Sequence, residues 1–376
     1  MNVRKIDTKN TQDVAQFVGL PFELYRTRPQ WVPPLVSQMK WAMNRAKNPF
    51  YHESTADFFV VESAGQVVGR IGVMDNRRYN EYRHTRTAFF GYFESVDDER
   101  VACRLFEAAF AWARSHCLDQ IIGPRSLTGV DGGIQIEGFA HRASLTVPYT
   151  QPYYPRLLEL AGFQKDTDLL SGYLPGNYPI SEREQRIAQK VEGRRQYWVK
   201  TFASKAEIRE WLPKVLGVHA AAFSHLHSYY PPTPAEVRDL TDTILTIADP
   251  SLIKLVMQDD DIIGFILAHH DLSAGLQKAN GSLWPWGWWH LLREKKRTQW
   301  VNIPVAGLLP HYQGLGGHAL LHLELHRTLQ AHQFQHLDIG PVDEQNQKSR
   351  AVLEGLGATW YKRHRLYARR IERLRD

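Results

Sequence analysis

The chain has 376 residues, 43% of them hydrophobic and 23% charged, which is the composition of a core-forming globular protein and excludes a largely disordered one. Two cysteines, Cys103 and Cys117, are too few for a disulfide scaffold or a cysteine-rich zinc module, and both read as buried free thiols. The net charge of +6 suits anionic small molecules; no nucleic-acid-binding signature accompanies it, and no apolar run reaches membrane-span length, so a cytoplasmic protein is expected.

Taken in order, the elements repeat once. Asn2 to Ile6 reads as a strand before a helical pattern. Phe58–Met74 (FFVVESAGQVVGRIGVM) reads as a hairpin, and Glu99 to His116 as a long amphipathic helix with Leu105, Phe106, Ala109, Phe110 and Ala113 on one stripe. Tyr197 to Thr201 begins the second series. Its hairpin is Ile253–His269 (IKLVMQDDDIIGFILAH), and Gly264 follows Gly69 by 195 residues. Gly357 follows Gly162 by the same 195, each ending a helix before a strand-like run. Between these anchors the offset grows to 217, where Ile122-Gly123-Pro124 matches Ile339-Gly340-Pro341. The second copy therefore has an insertion before this point and the first has one after it. We read a tandem duplication: lobe 1–175, a connector over 176–195 with a helix near Ser181–Glu192, and lobe 196–376. Strands mixed with helices give an α/β, layered α+β class, each lobe a mixed, mostly antiparallel sheet flanked by helices.

The chemistry lies in the second copy. Trp300–Leu309 is a strand-like run that leads through Pro310-His311-Tyr312 into Gln313-Gly314-Leu315-Gly316-Gly317-His318 and then a helix near Gly317–Gln333. A glycine turn at a helix start presents bare backbone N–H groups and the positive end of the helix dipole, a fit for phosphate or pyrophosphate. It lacks the Gly-Lys-Ser/Thr of a Walker loop, and Ala319 fills the third glycine position of a dinucleotide fingerprint.

The run Pro-x-Tyr-Gln-Gly-x-Gly-x-x-Ala-Leu-Leu resembles the coenzyme A loop of the GNAT superfamily of N-acyltransferases (Gln/Arg-x-x-Gly-x-Gly/Ala), with His318 at the sixth position. Asn346, eleven residues before Gly357, resembles the family's Asn-helix-Gly signature. The resemblance covers Tyr197 to Arg370. It implies a two-lobed member whose co-substrate is an acyl-CoA, acetyl-CoA or longer, held by Leu308, Leu309, Gln313, Gly314, Leu315, Gly316, Gly317, His318 and Asn346. The implied reaction is direct attack of an amine, from a small molecule or a protein, on the thioester. A non-catalytic ligand-binding protein on the same scaffold is the alternative.

Copy one departs from the pattern. Val96-Asp97-Asp98-Glu99-Arg100 replaces the glycine turn, and its carboxylates repel a pyrophosphate, so the first lobe is expected not to bind coenzyme. Its extra segment, Gly123 to Tyr154, is expected to fold over the second copy's site. Where many members carry a tyrosine acid this chain has Leu353; Tyr361, Tyr367, Tyr149 and Tyr153 are the alternatives. Glu344 and His311 are the candidate bases. His318, His322 and His326 share a helical stripe, read as a packing or solvated face with no metal. The segment LWPWGWW at Leu283–Trp289 is expected to pack between lobes, with an apolar pocket second and a membrane interface third.

Overall fold

The computed structural model describes residues 1–127, 132–145, 147–193, 197–226 and 228–372. Thirteen strands form a single sheet: β1 (Asn2–Lys5), β2 (Thr55–Ser63), β3 (Gln66–Asp75), β4 (Thr87–Ser95), β5 (Gln120–Gly123), β6 (Ile134–Glu137), β7 (Gln164–Pro175), β8 (Trp198–Lys200), β9 (Ile253–Gln258), β10 (Asp261–His270), β11 (Trp300–Leu308), β12 (His336–Asp343) and β13 (Thr359–Arg370). Twelve helices flank it: α1 (Thr11–Leu24), α2 (Val36–Met43), α3 (Arg77–Arg83), α4 (Glu99–Ser115), α5 (Tyr154–Leu160), α6 (Glu182–Gly193), α7 (Lys205–Phe223), α8 (Pro234–Ile247), α9 (Ser273–Ala279), α10 (Gly287–Lys295), α11 (Gly317–Ala331) and α12 (Gln347–Gly355).

The sheet runs β1-β2-β3-β4-β5-β13-β7-β12-β11-β10-β9-β8, with β6 also on β13. It is antiparallel except where β4 meets β5 and β11 meets β12. Helices cover both faces. Leu105, Phe106 and Ala109 of α4 pack with Ile71 and Phe90, while Phe17, Met39 and Met43 of α1 and α2 close the opposite face on Phe58 and Val60. In the other half Leu320, Leu321, Leu325 and Leu329 of α11 lie on Val256, Ile263 and Val301, and Ile208, Leu212 and Val215 of α7 on Leu255, Met257 and Phe265.

The repeat is visible in the backbone. Gly162 N–H donates to Glu159 O and Phe163 N–H to Leu158 O; 195 residues on, Gly357 N–H donates to Glu354 O and Ala358 N–H to Leu353 O. Both glycines have positive φ, +79° and +87°, as this helix stop requires. Gly123-Pro124 and Gly340-Pro341 are both cis.

The sheet order shows what the repeat conceals. β7, which follows α5, pairs with β12, and β13, which follows α12, pairs with β5. The two halves have exchanged their last strands, and the exchanged pair lie side by side from Thr359↔Tyr173 to Ala368↔Gln164.

Two local expectations are corrected. Cys103 is half-buried and Cys117 is exposed, at φ +57° just beyond the end of α4, so neither is a buried core thiol. The tryptophans of Leu283–Trp289 do not pack between lobes. Trp284 and Trp286 are 81% and 71% exposed, in the turn before α10 that is fixed by the packing of Gly287 on Ser282 O.

Candidate active site

The parallel pair β11–β12 ends at Ile303↔Ile339, after which the two strands splay. From Pro304 to Leu308 β11 pairs only with β10, beside a bulge at Ile303-Pro304, and Ala306 is exposed. The same splay in the first half, beyond Phe89↔Ile122, is filled. Arg125 N–H donates to Phe90 O (2.7 Å), Tyr153 Oη donates to Ser95 O (2.8 Å), and Ser95 N–H donates to Tyr154 Oη (3.1 Å). Tyr154 and Tyr25 also donate to Glu94, at 2.6 and 2.7 Å. At the offset of 195, Tyr153 and Tyr154 fall on Lys348 and Ser349; Lys348 donates to Gln313 Oε1 and Ser349 N–H to Asn346, and among the described residues neither hydrogen-bonds to β11.

The helices that start at the two splays differ in the same sense. Asp98 caps α4, its carboxylate accepting from Arg100 N–H, and Arg156 pairs with Asp97 and Glu99. Helix α11 has Gly316, φ +95°, as its N-cap residue and no side-chain cap. Among the described residues no backbone carbonyl accepts from the N–H of Gly314, Gly316 or Gly317. Orphan donors at a helix start are an anion site. Lys348 adds a cation, donating to Gln313 Oε1 at 3.2 Å.

The two glycines of the turn do different work. Gly314 (φ +81°) faces open space. A Cβ on Gly316 lies 2.9 Å from Val191 Cγ1 and 3.0 Å from Ile187 Cγ2, so packing of α6 requires that glycine whatever binds nearby. Burial depresses the His318 imidazole to about 4, with His322 contributing, so it is neutral at pH 7. These residues fit a coenzyme A pyrophosphate: donors, an adjacent cation and one uncrowded glycine.

Leu308 is buried, and Leu309 N–H donates to Ile263 O, closing the end of β11. Leu315 is exposed at the tip of the turn. Asn346 caps α12, accepting from Ser349 N–H. His311 is exposed on the same turn as Gln313. Glu344 is directed elsewhere: it accepts from Lys165 Nζ (2.8 Å) and Asp168 N–H (3.1 Å), joining β12 to β7. The histidine stripe faces the connector, His322 Nδ1 at 3.5 Å from Glu184 and His326 against the Tyr178 ring. No group of three metal-ligating side chains occurs among the described residues.

A second constellation lies at the apex of the splay, on the sheet face opposite α11. Directly paired positions bring His269 (β10), Asn302 (β11) and Asp338 (β12) into one row. Lys362 of β13 pairs with Asp338 at 3.2 Å, both buried. The first copy's insertion reaches this point, with Arg142 pairing with Asp271 at 2.8 Å and its carbonyl accepting from Lys362 Nζ. Asp271 also accepts from Asn302 Nδ2 and Ser273 N–H.

Within the row the tautomer of His269 is fixed by its surroundings. Its Nδ1 is 2.9 Å from His270 O, and a carbonyl only accepts, so Nδ1 carries the proton and Nε2 presents a lone pair. Nε2 is buried with no hydrogen-bond partner among the described residues, as is Asn302 Oδ1. Burial holds the ring below its ordinary pKa, outweighing Asp271 and Asp338, and keeps it neutral. Tyr361 joins the cluster, its phenol pushed up by burial and by Asp338. Tyr149 lies instead in the aromatic cluster of Tyr25 and Phe139, Tyr153 is tied to Ser95, and Tyr367 sits where β13 meets β5. The sequence carried one faint signal for the row: Asn302 is the single polar residue inside the apolar strand β11.

No family model matches the sequence. Protein YghO of Escherichia coli (strain K12) is 28% identical over 372 residues, covering 96% of this chain and 94% of that one. A bacterial ceramide synthase of Caulobacter vibrioides is 23% identical over 374 residues, 97% of each chain. A tandem GNAT protein from the clavulanic acid biosynthesis pathway superposes with a TM-score of 0.58 at 13% identity, covering 100% of this chain and 99% of that one. The chain thus has the two-lobed tandem GNAT fold along its whole length.

Proposed function

We propose that the protein is an acyl-CoA-dependent N-acyltransferase that binds one coenzyme per chain, on the second copy, 196–376, with β7 of the first completing its sheet, while the first copy, 1–175, is a scaffold joined to it by 176–195. The observation that carries this reading is the contrast between the two splays. One is plugged by Tyr153 and Tyr154 and capped by Asp98; the other is open, uncapped and flanked by Lys348.

The coenzyme thioester, when bound, supplies an activated acyl carbon. The N–H groups of Gly314, Gly316 and Gly317 with Lys348 hold the pyrophosphate, and the free edge of β11 from Pro304 receives the arm. An amine attacks only as its free base. His269 Nε2, neutral and bare, takes the proton that an ammonium acceptor must lose. Asn302 and the Asp338–Lys362 pair fix the floor on which the acceptor nitrogen sits. One full-length relative is a ceramide synthase, and ceramide is an N-acylated long-chain amine. A long-chain amine is therefore the acceptor class we infer here.

The test is calorimetric titration of coenzyme A, acetyl-CoA and palmitoyl-CoA, followed by thiol release with an amine panel that includes sphinganine. Binding at one site per chain with acceptor-dependent thiol release is expected. Binding without release from any amine supports a ligand-binding protein instead, and no binding refutes the assignment of the glycine turn.

A further inference from the structure

We propose that the α9–α10 hairpin is a membrane-docking element that seats the protein on the surface of an anionic bilayer. The observation is independent of the acyl-transfer reading. Trp284, Trp286, Trp288, Trp289 and Leu292 are 81%, 71%, 44%, 52% and 51% exposed, in one short stretch of the second copy's insertion. Single exposed apolar residues are ordinary; four indoles in six positions are not.

Their arrangement is built by the helix. The Glu294 and Leu291 side chains of α10 turn inward, where a Cβ on Gly275 of α9 lies 3.0 and 3.1 Å from them and 3.0 Å from the His290 carbonyl. At about 100° per residue, Trp288, Trp289 and Leu292 fall on the opposite side. Gly287 packs on Ser282 O, which fixes the start of α10 and projects Trp284 and Trp286 from the turn before it. Anchors on the inner side, Gln277 to Pro29 O and Trp31 O, and Val36 N–H to Gly281 O, hold the hairpin on the first lobe. The indoles are therefore presented on a fixed platform.

Charge selects the occupant. Arg293, Lys296 and Arg297 border the indoles, are exposed and make no ion pair among the described residues, whereas Lys295 is paired with Asp249. Indole rings and lysine or arginine stems favour the headgroup zone, and free cations favour anionic lipid. No helix among the described residues is long and apolar enough to cross a membrane, so the contact is interfacial. Helix α9 starts at Ser273, two positions after Asp271, whose carboxylate accepts from Ser273 N–H and Asn302 Nδ2, so the hairpin is joined in sequence to the polar row of His269, Asn302 and Asp338.

The experiment is co-sedimentation with sucrose-loaded phosphatidylcholine vesicles, with and without about a quarter phosphatidylglycerol, on the full chain. Wild-type protein is expected to partition onto both and about tenfold better with the anionic lipid. W284A/W286A/W288A is expected to lose at least about a hundredfold in partitioning. R293Q/K296Q/R297Q is expected to keep the neutral-lipid level and lose the anionic gain. Brominated acyl chains are expected to quench wild-type tryptophan fluorescence, a readout that holds even if the triple alanine variant fails to fold. Wild-type protein left in the supernatant with both lipids overturns the proposal, as does absent quenching or a tryptophan variant that sediments like wild type. A surface that instead pairs two chains gives the first of these results, with a dimer in solution that the tryptophan variant lacks.

Discussion

Gly314 and Gly316 are two residues apart in one turn, and the structure assigns them opposite responses to substitution. Gly314 has φ +81° with nothing within 4 Å of a Cβ, a conformation that Asn and Asp tolerate, so G314N and G314D each cost about 1 kcal/mol or less. Gly316 has φ +95° and meets α6 at 2.9 and 3.0 Å. G316A adds about 1–2 kcal/mol of backbone strain to about 1–3 of overpacking. In binding the order reverses. An aspartate at 314 sets a negative charge roughly 5 Å from a pyrophosphate seated on the turn. At an effective dielectric near 20 that repulsion is about 3 kcal/mol, or at least a hundredfold in affinity. G314D is therefore expected to melt close to wild type and lose acetyl-CoA binding, G314N to keep most of it, and G316A to melt several degrees lower. Calorimetric titration paired with thermal melts reads all three. Equal affinity of G314D and G314N refutes the site, because only charge separates them.

H269Q is expected to leave coenzyme affinity unchanged and to lower kcat/KM for acyl transfer by about a hundredfold or more, the usual worth of a positioned base; an unchanged rate assigns the base elsewhere. Removing one partner of the buried Asp338–Lys362 pair, as in K362M, is expected to cost about 3–5 kcal/mol in urea unfolding, and a midpoint shift under 1 kcal/mol contradicts its burial. Stability is expected to fall on acidification. His318 and His364 are held near 4 and 3 in the fold, below the unfolded value of about 6.5, so the unfolded chain takes up protons first. Their contribution is intact above pH 6.5 and declines by about 1.4 kcal/mol per group and pH unit toward pH 4, which urea melts at pH 7 and 5 check. Y154F is expected to weaken the first splay without creating a second coenzyme site, since Asp97, Asp98 and Glu99 remain; a stoichiometry of two in that variant disproves the acidic block.

What the sequence disclosed was local. The glycine turn, the helix stops at Gly162 and Gly357 and the two hairpins each depend on a few adjacent residues, and each is present. The exchange of β7 and β13 was hidden, because both strands follow the same kind of helix stop and nothing in either names its partner. The row of His269, Asn302, Asp338 and Lys362 was hidden for a related reason. Its members come from four strands, and while Asn302 stands alone in an apolar run, His269 is followed by His270, Asp338 lies two residues from His336, and Lys362 is one of the basic run Lys362-Arg363-His364-Arg365. The tryptophans were misjudged from composition, since the size that makes indole a good core residue says nothing about the helix face it occupies.

The exchanged strands also govern when the chain can fold. A ribosome delivers β1 to β5 early, yet the edge of β5 is completed only by β13, which begins at Thr359, while β5 ends at Gly123. At translation rates of about 5–20 residues per second that edge waits roughly 10 to 50 seconds for its partner. During this interval the β5 edge is an unpaired strand edge open to intermolecular pairing, and the full sheet closes only after the last strand emerges, so the time a chaperone shields that edge bears on yield.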